Sequence, residues 1–281
     1  MTTENLTGKT AVVTGGGGVL CGCMAKGLAA AGAQVAILDL YQEAADAMAD
    51  QIKAEGGTAI GVACNVLERE ALENARDVVL RELCGCDILI NGAGGNHPKG
   101  TTTKEFLDPE DLSAGQDLTT FFDLDPKGIE FVFGLNFLGT LLPSQVFGRV
   151  MAEAGAGTII NISSMNAFCP LTKIPAYSAA KAAVSNFTQW LAVHMSRVGI
   201  RVNAIAPGFF LTAQNRALLQ NDDGTITPRG TKILDHTPLG RFGDPQELLG
   251  TLLWLARDSE SAFVTGTVIP VDGGFSAFSG V

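Results

Sequence analysis

Short apolar runs rich in β-branched residues alternate along the chain with longer segments whose apolar positions recur at helical spacing. Such buried strands, separated by helices, are typical of a parallel sheet covered by helices on both faces. The pattern therefore predicts an α/β fold, a doubly wound Rossmann-type domain with a seven-stranded parallel sheet. The predicted strands are Thr10–Thr14, Gln34–Leu38, Thr58–Ala63, Asp87–Ile90, Thr158–Ile162, Ile200–Ala206 and Val264–Val271, and the predicted helices are 19–32, 41–55, 68–84, 129–154, 176–198 and 245–257.

Two segments, about 95–128 and 209–243, interrupt this alternation. Each follows a predicted strand, and ligands of doubly wound sheets bind outside the carboxyl ends of the strands. We therefore interpret both as substrate loops. Because no Pro/Ser-rich or charged linker divides the sequence, residues 1–281 are expected to form a single domain.

The composition excludes several classes of protein. With 46% hydrophobic and 17% charged residues, the chain is neither disordered nor a solvated coiled coil. Its net charge of -10 argues against nucleic-acid partners and anionic membranes. The N-terminus lacks the pattern of a signal peptide, and no apolar stretch approaches the ~20 residues of a membrane span. We expect a soluble cytoplasmic protein.

The six cysteines are not spaced as metal ligands. Cys21 and Cys23, like Cys84 and Cys86, are separated by one residue, whereas zinc knuckles and redox motifs need two or more. The sequence therefore predicts free thiols and no metal.

A glycine-rich turn follows the first strand and leads into an alanine-rich helix. Glycines there let the backbone approach a pyrophosphate, and the helix N-terminus offers N–H groups to it. Asp39 closes the second strand, where a carboxylate accepts hydrogen bonds from ribose hydroxyls and repels a 2′-phosphate, which favours NAD over NADP. The residues of this turn and helix start that are predicted to bind the cofactor are Gly15, Gly17, Gly18, Val19 and Leu20.

Tyr177 and Lys181 are four residues apart in a predicted helix and so share one face. A phenol is a poor base near neutral pH unless a cation stabilises its anion, which Lys181 can supply. Ser164 lies just past the fifth strand, where its hydroxyl could hold a substrate oxygen beside Tyr177. These residues are our candidates for catalysis.

With these motifs in this order, the chain resembles the short-chain dehydrogenase/reductase family over essentially its whole length. The resemblance implies Tyr177 as acid/base, Ser164 polarising the substrate carbonyl, Lys181 binding the nicotinamide ribose, and Asn136 supporting a water relay. It also implies a homotetramer, through the apolar C-terminal region. The further cofactor contacts that it implies are Asn65, Val66, Asn91, Gly92, Ala93, Pro207, Gly208, Phe210 and Thr212, together with Tyr177 and Lys181.

The chain departs from the family pattern at three positions. Val19 and Cys21 stand where the family usually has the last two glycines of the loop, and Asn65 stands where an aspartate is common. These departures affect the expected geometry of the cofactor loop and leave the four catalytic candidates intact.

The two long segments carry the substrate candidates. A cationic group suits a carboxylate, and Lys99 and Arg216, the latter following Gln214 and Asn215, stand in these segments. The polar character of both segments favours a hydroxylated anion over a steroid or acyl chain. The predicted substrate-binding residues are Asn96, His97, Lys99, Ser164, Asn166 and Arg216.

The long insertion, Asn96–Lys99 and the Asn215–Arg216 segment most resemble the sugar-acid branch of the family. This implies the interconversion of D-mannonate and D-fructuronate with NAD(H), and oxidation of gluconate at carbon 5 or of another polyol or sugar acid is the alternative. Reduction of 3-oxoacyl carrier protein predicts NADP and a basic docking patch, which Asp39 and the acidic charge oppose. A non-catalytic nucleotide sensor on the same fold is the remaining alternative.

Overall fold

The computed structural model describes residues 5–113, 117–212, 216–221 and 223–280. It contains one seven-stranded sheet in which every strand is parallel to its neighbours, in the order β3-β2-β1-β4-β5-β6-β7. The predicted Rossmann-type fold is confirmed. The strands are β1 (Thr10–Thr14), β2 (Gln34–Asp39), β3 (Thr58–Ala63), β4 (Ile88–Asn91), β5 (Gly157–Ile162), β6 (Ile200–Pro207) and β7 (Val268–Val271).

Six strands lie within one residue of their predicted bounds at each end. The exception is β7, which begins at Val268 instead of Val264. The chain turns before it, since the Val264 amide donates to the Ser261 carbonyl and Gly266 has a φ of +78°. A left-handed backbone of this kind is easy for glycine and interrupts an extended strand.

Helices cover both faces of the sheet. The predicted helix 129–154 begins earlier, at Pro126, because the Asp125 carboxylate accepts a 2.9 Å hydrogen bond from the Lys127 amide and caps the helix. The helices are α1 (Val19–Ala30), α2 (Gln42–Ala54), α3 (Arg69–Leu83), α4 (Pro126–Phe133), α5 (Gly139–Ala154), α6 (Pro175–Met195), α7 (Arg216–Leu219), α8 (Pro228–Asp235), α9 (Leu249–Ala256) and α10 (Asp258–Ser261), with a π-helical turn, Gly134–Leu138, between α4 and α5.

The helical run Pro126–Ala154 corrects one sequence expectation. It has 29 residues, and its most apolar window has a mean hydropathy of 1.3, so by length and composition it could cross a membrane. The charged residues of the run stand near its two ends, which leaves a long apolar centre. Half of that window is buried within the fold, as in the core helix of a soluble protein.

The alternation of side chains along the strands builds two cores. Val13 and Ile37 face one side and pack in a cluster with Met24 of α1, whereas Val12 and Leu38 face the other side. The strand order reverses at β1, which pairs with β2 on one side and with β4 on the other. The connections on the two sides of this point lead away from each other, and a crevice opens at the carboxyl ends of these strands.

Candidate active site

A cleft of about 500 Å³ lies at the carboxyl ends of the central strands. It extends from the glycine-rich turn and Asp39 to Ser164, Tyr177 and Lys181. It thus joins the predicted cofactor half and the predicted catalytic half of the sequence in one continuous space. Its other lining residues that the sequence predicted are Gly15, Gly18, Val19, Leu20, Gly92, Ala93, Pro207, Gly208, Phe210 and Thr212.

The glycine-rich turn places the N-terminus of α1 at this cleft. Gly15 has a φ of +64°, which a residue with a side chain adopts only with strain. The Gly16 amide donates to the Leu38 carbonyl at 3.1 Å and fixes the turn against β2. Gly18 is the N-cap and no side chain caps the helix, so the N-terminal end of α1 presents a partial positive charge to the cleft.

The two departures from the family's glycine pattern are accommodated differently. Val19 is 38% exposed and lies on the cleft wall. Cys21 is buried, and its Sγ packs against Gly92 so closely that a Cβ at position 92 would overlap it. Burial raises the pKa of the Cys21 thiol to about 11. The bulkier residue at position 21 is therefore matched by the missing side chain at position 92.

Asp39 is tied to the glycine turn by a hydrogen bond. The Gly17 amide donates to Oδ2 of Asp39 at 3.0 Å, and a Cβ at Gly17 would lie only 2.9 Å from the same oxygen. The carboxylate lines the cleft beside the turn. An open helix N-terminus, a glycine turn and an adjacent carboxylate fit the pyrophosphate and ribose of a dinucleotide.

Tyr177 and Ser164 meet on the opposite part of the cleft. Tyr177 stands in the first turn of α6, and Ser164 precedes a short 3-10 turn, where its Oγ accepts a 3.3 Å hydrogen bond from the Asn166 amide. Burial raises the pKa of the Tyr177 phenol, and a hydrogen bond with Ser164 acts in the opposite direction. The Ser164 hydroxyl and the Tyr177 phenol therefore lie next to each other in the cleft and can contact the same substrate atom.

Lys181 lies one helical turn beyond Tyr177 and is only 4% exposed. Its Nζ donates to the Ile162 carbonyl at 2.7 Å and lies 5.7 Å from the centre of the Tyr177 ring. Burial lowers the pKa of Lys181 to about 8, because the charged ammonium is poorly solvated there. The lysine is thus held near the phenol, and burial makes its charged form easier to deprotonate than that of an exposed lysine.

Asn136 is fully buried in the π-helical turn between α4 and α5. Its Nδ2 donates to the carbonyls of Val132 and Gly95, at 2.8 and 2.7 Å, and its Oδ1 accepts from the Gly95 amide. A π-turn inside an α-helix is frequent at functional sites. Asn136 does not line the cleft, but it fixes the glycine loop after β4 that does.

Four predicted cofactor contacts do not line the cleft: Gly17, Asn65, Val66 and Asn91. Asn91 is 1% exposed, and its Nδ2 donates to Ser144 and Asn161, so it ties β4 to its neighbours. Asn65 instead caps a turn, donating to Glu68 and accepting from the Leu67 amide.

Six lining residues were not among the predicted cofactor or substrate contacts. Apart from Cys21, which lies in α1, they belong to the strand ends and the loops directly after them, and this position is the signal that points to them. They are Cys21, Gly94, Gly95, Ile162, Ser163 and Phe209.

Of the predicted substrate residues, only Ser164 lines the cleft. Asn96 and His97 stabilise their own loop. The Asn96 amide group donates a hydrogen bond to the Thr101 hydroxyl, and Nδ1 of His97 accepts one from the Lys99 amide. The Lys99 ammonium lies 3.1 Å from Asp125.

The remaining substrate candidates lie farther along the chain. Asn166 is 5% exposed, and its Oδ1 has no hydrogen-bond partner within the described ranges. Arg216 is exposed at the start of α7, whereas Gln214 and Asn215 lie outside the described residues.

Comparison with known proteins agrees with this geometry. The family model described as short chain dehydrogenase matches residues 9–223. A Bacillus subtilis protein named "Uncharacterized oxidoreductase UxuB" is 56% identical over 99% of this chain and 98% of its own length. The Escherichia coli K12 protein 5-keto-D-gluconate 5-reductase is 31% identical over 96% of both chains.

A solved structure from Haemophilus influenza is also similar. It is described as a "putative D-Mannonate oxidoreductase" with bound NAD. Its sequence is 57% identical, the alignment covers 99% of this chain and 98% of that one, and the TM-score is 0.93.

Proposed function

The chain belongs to the short-chain dehydrogenase family, and we propose that it is an NAD-dependent oxidoreductase that interconverts D-mannonate and D-fructuronate. The observation that carries the proposal is the arrangement of Ser164, Tyr177 and Lys181 around one point in a cleft that also contains the open N-terminus of α1. Such a site can exchange a proton with a substrate oxygen beside a bound dinucleotide.

NAD⁺, when bound, supplies the acceptor for the hydride that leaves the substrate carbinol carbon. Tyr177, as the tyrosinate, takes the proton of the substrate hydroxyl, and in the reductive direction the phenol returns it. Ser164 holds the same substrate oxygen by a hydrogen bond and thereby orients it toward Tyr177. A positioned acid/base of this kind contributes about 10²–10⁴-fold to the rate.

Lys181 stabilises the anionic form of Tyr177. Burial alone raises the pKa of Tyr177, so the anion needs a nearby positive charge, which the Lys181 ammonium supplies. Asn136 holds Gly95 through hydrogen bonds to its amide and its carbonyl. Gly94 lies close to this lysine, because a Cβ at Gly94 would lie 2.7 Å from the Asn136 Oδ1 and 3.2 Å from the Lys181 Nζ. Asn136 is thus a positioning residue for this end of the cleft.

The preference for NAD rests on Asp39. A carboxylate that lines the cleft beside the glycine turn accepts hydrogen bonds from ribose hydroxyls and repels the extra phosphate of NADP. The bound NAD of the Haemophilus influenza structure supports the same choice.

The substrate class is supported by the relatives rather than by the catalytic residues, which many substrates share. The test is NADH formation with D-mannonate, D-gluconate, related sugar acids and neutral polyols, with NADP as the control cofactor. We expect D-mannonate with NAD to give the highest kcat/KM. Dinucleotide binding without turnover of any compound would instead indicate a nucleotide sensor, and reduction of a 3-oxoacyl carrier protein with NADPH would indicate an acyl reductase.

Oxidation of D-gluconate at carbon 5 is the second candidate, supported by the 31% identity with 5-keto-D-gluconate 5-reductase over 96% of both chains. A higher kcat/KM for D-gluconate than for D-mannonate in the same panel would favour it.

We further propose a homotetramer in the cytoplasm. Trp190 and Val193 of α6 are 57% and 78% exposed, which is unusual for large apolar side chains and supports burial between subunits. The free cysteines support a compartment that keeps thiols reduced. Light scattering tests the assembly, and a monomer would refute it.

A further inference from the structure

A second cavity, of about 440 Å³, adjoins the catalytic cleft. Phe209 lines both spaces, and residues 169–172, which form another wall, follow directly on the turn that carries Ser164. The Cys169 amide donates to the Met165 carbonyl at 3.0 Å, so this wall is attached to that turn. A substrate that is held by Ser164 and Tyr177 and extends past Phe209 would enter the second cavity.

One side of this cavity carries two cationic side chains and a histidine. Arg229, Lys232 and His236 follow one another at spacings of three and four residues along α8 and its C-terminal end, so they share a face, and all three line the cavity. The Lys232 Nζ lies 2.6 Å from Glu105, which comes from the other long segment.

The charges around Glu105 show what this face attracts. The hydrogen bond with Lys232 lowers the pKa of the Glu105 carboxyl, and the charges of Lys173 and Arg229 add to the effect. Three cations thus act electrostatically on a single carboxylate, in a chain whose net charge is -10. The surplus positive charge is available to a second anion.

We propose that Arg229 binds the substrate carboxylate in this cavity. This inference rests on the proposed function and names the residue that would select an acid. Within the described part of the chain, Arg229 has no hydrogen bond or salt bridge that would occupy its guanidinium. A planar guanidinium binds a carboxylate through two parallel hydrogen bonds. Lys99, the candidate from sequence, is paired with Asp125 instead.

His236 adds a contact for a hydroxyl group. Its Nδ1 lies 2.8 Å from the Lys232 carbonyl. Because a carbonyl oxygen only accepts hydrogen bonds, Nδ1 carries the hydrogen, and in the neutral ring Nε2 is an acceptor. The remaining walls include the aromatic rings of Phe106, Phe275 and Phe278, which can pack against the C–H faces of a sugar chain. The cavity is therefore suited to a hydroxylated carboxylate.

The test compares KM for D-mannonate among Arg229→Met, Arg229→Lys and Arg197→Met. Arg197 is an exposed arginine in the turn before β6, at the opposite edge of the sheet from the cleft, and is the matched control. We expect Arg229→Met to raise KM at least about tenfold, as for the loss of a hydrogen bond to a charged group. Arg229→Lys should raise KM less, because it retains the charge. The Kd for NADH should not change in any variant.

An unchanged KM in Arg229→Met, or an equal rise in Arg197→Met, would overturn the inference. So would a fall in kcat at constant KM, which would indicate a disturbed catalytic centre. These outcomes require that the wild-type enzyme oxidises D-mannonate. If the wild type oxidised no sugar acid at all, the proposed function would fail first, and this inference would fall with it.

Discussion

The thiol of Cys21 fills the space that a side chain at Gly92 would need. Cys21 belongs to α1 and Gly92 to the loop after β4, so this contact joins the two elements that form one wall of the cleft. A Cβ at position 92 would also lie 2.9 Å from the Thr14 carbonyl oxygen. The pair shows how a helix that lacks the usual glycine at position 21 still packs closely against the sheet.

Substitution of Gly92 by alanine should therefore destabilise the protein and weaken NADH binding. Overpacking of this kind costs about 1–3 kcal/mol, measured by urea unfolding, with the Kd for NADH followed by fluorescence. The additional change Cys21→Ala removes the overlapping sulfur and should restore part of the loss, while the contact with Thr14 remains. Strictly additive effects of the two changes would mean that the residues are not coupled.

Replacement of Tyr177 by phenylalanine removes the acid/base while leaving the ring in place. We expect kcat to fall by about 10²–10⁴-fold, with the Kd for NADH unchanged. The chain has two tyrosines, and Tyr41, whose side chain is 66% exposed, provides the control through Tyr41→Phe. Turnover at the wild-type rate in Tyr177→Phe would remove this residue from the mechanism.

Asp39→Asn tests the choice of cofactor. Asparagine keeps an oxygen that can accept from the Gly17 amide but loses the negative charge that repels a 2′-phosphate. The ratio of kcat/KM for NAD to that for NADP should fall by at least about tenfold, the effect expected for one charged contact. An unchanged ratio would show that the discrimination lies elsewhere in the cleft.

The burial of Lys181 predicts a pH-dependent contribution to stability. Its pKa is lowered from 10.5 to about 8 in the folded protein, so between these values the unfolded chain binds more protons. Stability then rises with pH across this window, and the cost of burying the charged lysine is fully present below about pH 8.

Urea unfolding of the wild type and of Lys181→Met, at pH 7.5 and pH 9.5, measures this contribution. The free energy of unfolding of the wild type should rise relative to the variant by on the order of 2 kcal/mol, since one pKa unit corresponds to about 1.4 kcal/mol. Titrating groups that Lys181 does not influence are common to both proteins and cancel, and the Cys21 thiol, which Lys181 does influence, has a pKa raised to about 11, above both measured pH values. A difference between the two proteins that does not change with pH would contradict the lowered pKa.

Local patterns allowed much of the site to be predicted. Tyr177, Lys181, Ser164 and Asp39 were identified because each stands at a strand end or at a helical spacing that the sequence displays, and all four line the cleft. Asn91 was expected there as well, but its side chain turns into the sheet toward Ser144 and Asn161. The orientation of a side chain such as Asn91 depends on its neighbours in space, which are far away in sequence.

The long segments were the least predictable part. Their polar residues suggested a substrate site, but Lys99 pairs with Asp125, whereas α8 brings Arg229 and Lys232 to the cavity beside the cleft. The ion pair between Lys232 and Glu105 joins residues 127 positions apart. No spacing rule identifies such a contact, because it forms only when both segments fold over the same sheet edge.

The sequence by itself determined the strands, the glycine turn and the order of the catalytic residues, because each depends on hydrophobic period, backbone freedom or helical spacing within a few residues. Tertiary structure alone decided which cations are neutralised and which remain available, how Cys21 fits against Gly92, and that Asn136 holds the loop beside Lys181. The physical reason is that charge pairing, close packing and burial are properties of neighbours in space, and the fold brings those neighbours together from distant parts of the chain.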